Sequence, residues 1–251
     1  MKGYDVWIPR WLGETYANLY MRFEKDLFTF QEARGLLSFG ENRLAVVFSK
    51  LHSKRLLLIF EAGKPRLYRL VEPRHLLMLA SGAIANLNLI PQERYVRLLC
   101  DAFYHTSKLF NLSSFGLYGS IARGNMEENS DIDIVVVSND FTGSLGSRIE
   151  ELCKIEALVK DEVTWLRKHG IHTSLNFYPL QESEAKKMPL LFLDLTEEAI
   201  ILCDKNQFLE KTLMELKARL LSRGARRILT DKGNWYWDLK PDYKFGDLVE
   251  I

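Results

Sequence analysis

The sequence predicts an α+β fold built in two parts, and three observations carry that expectation. Residues 14–71 read as three amphipathic helical stretches followed by two short strands across a turn. Residues 115–137 read as an alternating strand, a Gly-Ser turn, a short helix and a β-branched strand. Behind them, amphipathic stretches at 147–169 and 208–223 offer helices to cover a sheet.

The front part is read first. Tyr16, Leu19, Tyr20, Phe23 and Leu27 give residues 14–27 one apolar helical face. Phe28-Thr29-Phe30 connects to a short helix over 31–37, and Ser38-Phe39-Gly40 is a turn. Leu44, Val47, Phe48 and Leu51, at i, i+3, i+4 and i+7, mark a third helix. Strands are expected at 56–60 and 66–71 across Ala62-Gly63-Lys64-Pro65. Three helices and a hairpin are the element order of a winged helix-turn-helix, in which the third helix enters the major groove and the hairpin touches phosphates. Arg43, Lys50, Lys54, Arg55, Lys64 and Arg66, with Asn42, would line the DNA face. A helix of about 18 residues from Pro91 to Lys108 opens the second part, with proline in its first turn.

Charge agrees with two jobs. The 251 residues carry a formal net charge of +1, but residues 1–110 hold 16 basic against 10 acidic side chains, and residues 111–251 hold 18 against 23. A basic front favours contact with phosphates. An apolar content of 47% with 27% charged residues is that of a globular chain and excludes a disordered one. Cys100, Cys153 and Cys203 are too scattered for a disulfide framework or a CxxC metal site. The opening residues MKGYDVWIPRW lack an apolar signal core, and no stretch has the length of a membrane span. A cytoplasmic location and no membrane partner are expected.

The chemistry is concentrated between Leu117 and Val137. Gly119 lets the backbone approach a ligand without a Cβ. Ser120 offers a hydroxyl and an N–H at a helix start, where donors lack partners and a triphosphate is welcome. Asp131 and Asp133 are two apart in a strand and share one face. Two carboxylates side by side repel and call for a hard cation, Mg²⁺ or Mn²⁺, whose shell nucleotide phosphates would complete.

The segment Gly119-Ser120-Ile121-Ala122-Arg123-Gly124, a short loop, then Ser130-Asp131-Ile132-Asp133-Ile134-Val135-Val136 resembles the signature of polymerase-β-type nucleotidyltransferases. It is most similar to the small microbial members called minimal nucleotidyltransferases, relatives of the aminoglycoside nucleotidyltransferases. The resemblance is sharp over 115–137 and loose over 90–200. It implies an α/β domain with a mixed sheet, and transfer of a nucleoside monophosphate from a nucleoside triphosphate with release of pyrophosphate. It implies that Asp131 and Asp133 are catalytic and hold the metal, and that Gly119 and Ser120 hold the β- and γ-phosphates. Arg123, Gly124 and Ser130 would shape and cap the nucleotide-binding loop.

The pattern departs from the family at one place. A neighbouring strand usually supplies a third carboxylate. Here the candidate is 171–178, with Ile171, Thr173, Leu175 and Phe177 on one side and His172, Ser174, Asn176 and Tyr178 on the other. Asn176 stands at the third-acid position, and an amide oxygen brings neither charge nor basicity. Glu182 and Glu184 lie just beyond and would have to reach back; His172 is a candidate base.

Further on, residues 147–169 read as one long helix, 190–195 as an apolar strand, and 208–223 as a helix stopped by Gly224. Residues 226–243 read as a hairpin turning at Asp231-Lys232-Gly233-Asn234, with Trp235-Tyr236-Trp237 packed as a core edge or offering a stacking surface. The division expected is 1–85, a winged helix; 86–200, a nucleotidyltransferase domain; and 201–251, a helix and hairpin packed on it. Two readings follow. One is a Mg²⁺-dependent transfer of AMP from ATP to a hydroxyl of a protein or RNA. The other is a DNA-binding regulator or antitoxin-like protein whose nucleotide site is weak or inactive. Expected partners are a nucleoside triphosphate, nucleic acid, the acceptor and, as a homodimer, a second copy of the chain.

Overall fold

Apolar spacing sets the front helices. The structure, a computed structural model, describes residues 8–230 and 235–241. Leu12, Tyr16 and Leu19 bury one face of α1 (Arg10–Phe23). That helix starts four residues before the expected position and ends at Glu24, whose φ of 45° leaves the helical region, so Leu27 lies beyond it. Helix α2 (Phe30–Leu37) opens on a capping box, Thr29 and Glu32 satisfying each other's backbone N–H. Helix α3 (Glu41–Ser53) buries the four apolar residues that marked it. Strands β1 (Leu57–Glu61) and β2 (Leu67–Leu70) pair antiparallel, and Phe28 bridges to Tyr68 beside them. Helix α4 (Pro73–Ala80), on which the pattern was silent, begins with a proline.

The expected helix from Pro91 is shorter than read. Glu93–Tyr95 form one 3₁₀ turn and α5 runs Val96–Leu109, most of it buried. Then follow β3 (Leu112–Tyr118), α6 (Gly119–Arg123) and β4 (Ile132–Ser138). The single helix expected over 147–169 is two, α7 (Leu145–Leu158) and α8 (Lys160–Lys168), meeting at Val159. After β5 (Leu175–Leu180) and the short α9 (Glu182–Ala185), the expected strand at 190–195 is instead helix α10 (Leu191–Glu198). A short apolar run does not reveal its period, and here Phe192, Leu193 and Leu195 bury a helical face. The strand is β6 (Ile200–Asp204), followed by α11 (Phe208–Ser222) and the tail strands β7 (Arg226–Leu229) and β8 (Trp235–Asp238). The expected turn at 231–234, the end of the tail at 242–243 and the start of the chain at 1–7 lie outside the described residues.

The central sheet has the order β5-β4-β3-β6, with β4 and β5 parallel and the other pairs antiparallel. Alternation along β4 divides the core. Ile132, Ile134 and Val136 join an apolar cluster that takes in α5, α7, α3 and the front hairpin. Val135 and Val137 join a second cluster with Phe192 and Leu195 of α10 and Leu209, Leu213 and Leu216 of α11. The sheet is therefore covered on both faces. Among the described residues no helix is long and apolar enough to cross a membrane. The three cysteines are free.

A buried ion network ties the front to the sheet-bearing part. Arg69 of β2 is 1% exposed and bonds Glu162 of α8 through both terminal nitrogens, with the ring of Trp165 3.3 Å from its guanidinium carbon. Burial pulls the Arg69 guanidinium down to about 10, against the pull of Glu162. Arg97 of α5 donates to the Leu70 carbonyl and to Glu72 at 2.5 Å, and its Nε lies 3.7 Å from Glu162. Glu162→Ala would leave two buried guanidiniums short of their counter-charge and is expected to cost about 3–5 kcal/mol. Arg69→Met/Glu162→Leu, which removes both charges and refills the space, should cost much less. Urea unfolding of the three proteins checks this; equal midpoints for wild type and Glu162→Ala would show that the network does not hold the parts together.

Candidate active site

The site is formed where β4 begins. Asp131 precedes the strand and Asp133 lies within it, on the face that carries Val135 and Val137 towards α10 and α11. Antiparallel pairing sets Asp133 opposite Tyr118, the last residue of β3, and parallel pairing sets it opposite Asn176 of β5. Asn176 Nδ2 donates to Asp133 Oδ1 at 2.8 Å, and Ser174 Oγ donates to Asp131 Oδ1 at 2.5 Å. The ladder of β5 starts only at Leu175, but the burial alternation expected from Ile171 onward holds through Phe177. Asn176 thus stands beside the aspartates as a hydrogen-bond donor.

Burial raises the Asp133 carboxyl above its ordinary range. Asp131 and Glu198 push in the same direction, while the bond from Asn176 and the charge of Arg123 oppose them. A half-buried carboxylate with a second one two residues away is a donor set of hard oxygens that a divalent cation would relieve. The residues fit such an ion from one side: one oxygen of each carboxylate is held, by Ser174 just before β5 and by Asn176 within it, and the other is left for a ligand.

Gly119 is required by geometry on two counts. Its φ is +72°, and a Cβ there would collide with Asp133 Oδ2. Its N–H is already committed to Glu198 Oε1 at 3.0 Å. Of the Gly119-Ser120 pair, only Ser120 therefore offers a free donor, and its half-buried hydroxyl makes no hydrogen bond among the described residues. Arg123 Nη1 donates to both Glu198 oxygens at 2.9 Å, which makes it a brace of the turn. Gly124 closes α6 at φ +77°, and a Cβ would come within 2.7 Å of Pro91. Ser130 Oγ accepts from the Glu127 N–H at 3.2 Å and its carbonyl accepts from Thr173, which fixes the loop before Asp131.

Other expected residues are placed elsewhere. Glu182 and Glu184 do not reach back: they lie past the far end of β5, where Glu182 accepts from Ser113 and Glu184 pairs with Arg148. Glu182 instead lines a cleft of about 640 Å³ with Lys186, Phe208 and Lys211, away from the aspartates. His172 is exposed, its N–H bonded to the Glu128 carbonyl. On the front part, Arg43, Lys50, Lys64 and Arg66 are exposed and Lys54 is half-buried. Arg55 is not on that face: its guanidinium pairs with Glu93 and donates to the Leu87 and Asn88 carbonyls. Glu72, His75 and Asp101 also bring ligand-type atoms within 4.8 Å of one another, but Arg97, Arg74 and Lys25 already compensate the two carboxylates.

Two contributors had no signal in the motif. Glu198 ends α10, in a stretch read as lying beyond a strand. Trp235, from the tail, has the guanidiniums of Arg123 and Arg227 4.7 and 4.1 Å from its ring, and both Trp235 and Trp237 donate to Asp194 of α10. Trp235 and Trp237 therefore pack, as the core-edge reading expected, against the element that carries Glu198, while Tyr236 between them is exposed.

Residues 105–212 match the family model described as a nucleotidyltransferase domain. That span runs from the end of α5 into α11 and contains both aspartates, Gly119, Ser120 and Asn176. No curated protein matches the chain. Among solved structures, one described as a crystal structure of a toxin-antitoxin with AMP-PNP is similar at 21% identity and a TM-score of 0.30, over 45% of this chain and 81% of that one.

Gly119→Ala should keep the fold while displacing the Asp133 carboxylate, and Mn²⁺ affinity read by water-proton relaxation should fall on the order of tenfold. Gly124→Ala, strained against Pro91 and not against an aspartate, should lower stability by about 1 kcal/mol or more and leave Mn²⁺ binding alone. Equal Mn²⁺ binding by wild type and Gly119→Ala would remove the role given to this glycine.

Proposed function

We propose that this protein transfers a nucleoside monophosphate, AMP from ATP with Mg²⁺, to a hydroxyl group of a protein or RNA. The observation that carries the reading is the juxtaposition of Asp131 and Asp133 with Gly119 and Ser120, within residues that match a nucleotidyltransferase domain. Asp131 and Asp133 hold the divalent cation, which when bound neutralises triphosphate charge. Ser120 donates to the β- and γ-phosphates from its hydroxyl and N–H. The acceptor oxygen attacks the α-phosphorus, the bond to the β-phosphate breaks, and pyrophosphate leaves. Asn176 keeps Asp133 oriented and takes no proton, so the acceptor proton passes to water. Rate then comes from positioning and charge stabilisation, with a modest turnover for want of a base.

Each α-labelled nucleoside triphosphate, incubated with the protein, Mg²⁺ and a lysate of the source cell, tests this. Label should appear on one protein or RNA species with wild type and be absent with Asp131→Asn/Asp133→Asn. Nucleotide binding that needs both aspartates, without transfer of label, would replace the transferase with a nucleotide-sensing regulator.

That second reading draws on Asn176 in place of an acid and on the exposed basic residues of the front part. On it, the three helices and hairpin act as a winged helix on DNA through Arg43, Lys50, Lys64 and Arg66. Fluorescence anisotropy of the full chain on duplex DNA should show affinity falling about a hundredfold from 50 to 200 mM salt if some four phosphates are contacted. Absence of binding at 50 mM would remove the DNA role.

A further inference from the structure

Glu198 is the acidic group closest to the Gly-Ser turn that the motif leaves without a role. It ends α10, and its side chain is only 7% exposed. A carboxylate held out of water needs strong partners, and Glu198 has three: the Gly119 N–H at 3.0 Å, Arg123 Nη1 at 2.9 Å to each oxygen, and Arg227 Nη2 at 3.6 Å. Gly119 is also the residue whose missing Cβ makes room for Asp133 Oδ2. One carboxylate thus fixes, through one backbone N–H, the separation between the turn and the metal-side aspartate. Through Arg123 it fixes the other end of the same helical turn.

We infer that Glu198 is a positioning residue for nucleotidyl transfer: it sets Gly119 and Ser120 at the height over Asp133 that a cation-bound triphosphate requires. The inference rests on the transferase reading and names a further residue of that site. Glu198 touches no substrate. Its negative charge is matched by Arg123 and Arg227, so it does not compete for the cation. The tail enters through the same contact, because Arg227 of β7 and Trp235 of β8 both lie against the Arg123 brace. Shortening the side chain leaves Arg123 without its carboxylate partner and frees the turn to move, and a displacement of about 1 Å from the reacting geometry is enough to cost a hundredfold in rate.

The test compares Glu198→Gln and Glu198→Ala in the full-length protein. Glutamine keeps one oxygen for the Gly119 N–H and Arg123 Nη1 but loses the charge and the second acceptor, so it should retain clearly more activity than alanine and support the inference by partial rescue. Alanine should raise KM for the nucleoside triphosphate on the order of tenfold and lower kcat by as much or more. Hydrogen exchange of the 115–124 segment should speed up in the order wild type, glutamine, alanine. That exchange measurement does not depend on turnover. If wild type transfers no nucleotide, the transferase reading fails on its own, and the exchange order still decides whether Glu198 holds the turn. If alanine fails to fold, glutamine and the exchange of its Gly119 amide carry the test. Wild-type KM, kcat and exchange in both variants, or a loss confined to melting temperature with KM and kcat unchanged, overturns the inference.

Discussion

The register of β4 is the constraint on which the rest of the site depends. Side chains alternate along a strand, so a slip by one residue would exchange Asp133 with Ile132 and turn the carboxylates into the apolar cluster under α5 and α7. Two neighbours prevent it from opposite sides. β3 pairs antiparallel and ends at Tyr118 opposite Asp133, so the chain must turn there, and Gly119 is the residue that can turn without striking the carboxylate. β5 pairs parallel, and Ser174 just before it and Asn176 within it reach the two aspartates in turn. Ile132, Ile134 and Val136 on one face and Val135 and Val137 on the other make any other register expensive in buried apolar area. The carboxylate pair thus sits at the start of a strand whose middle, from Ile134 to Val137, is apolar on both faces.

The buried ions work on a longer scale. Arg69, Glu162, Arg97 and Glu72 come from β2, α8, α5 and the residue before α4, and the front hairpin shares an apolar cluster with the sheet. Such pairs add little net stability over apolar packing but penalise every arrangement that separates them. Their effect is to fix one docking of the three front helices on α5. The exposed basic residues of α3 and the hairpin thereby belong to a part joined through buried ions and a shared apolar cluster to the sheet that carries the aspartates.

What the sequence made legible follows from how local each signal is. Asp131, Asp133 and the Gly119 turn were readable because strand alternation and a positive-φ glycine act within a few residues. Asn176 was readable because burial alternates from Ile171 onward, even though the ladder begins only at Leu175. The break at Val159 was hidden, since apolar spacing continues through one non-helical residue. A short apolar run fits either period, so the helix at 191–198 shows in the sequence as a strand at 190–195. Arg55 looked like a surface cation until Glu93, 38 residues away, proved to be its partner. Glu198 had no local mark at all: its meaning depends on a contact 79 residues distant in the chain. Long-range charge pairs carry no periodicity, so a single sequence does not display them.

The amide at position 176 shapes the electrostatics of the pair more than its lack of charge suggests. A carboxylate there would add a third negative charge to a half-buried site in which Asp131 and Glu198 already raise the Asp133 carboxyl. Asn176 donates instead, which favours the ionised form of Asp133 and partly offsets the penalty of burial. Arg123 acts in the same sense while its own charge is spent on Glu198. The result is a pair of carboxylates in which the bond from Asn176 and the charge of Arg123 oppose the burial that raises Asp133. On the proposed reading, such a pair would attract a divalent cation less strongly than three carboxylates, and the phosphates of the nucleotide would complete the ligand shell. Cation and nucleotide would then enter as one unit, and the geometry that decides whether they fit is the height of the Gly119-Ser120 turn above Asp133.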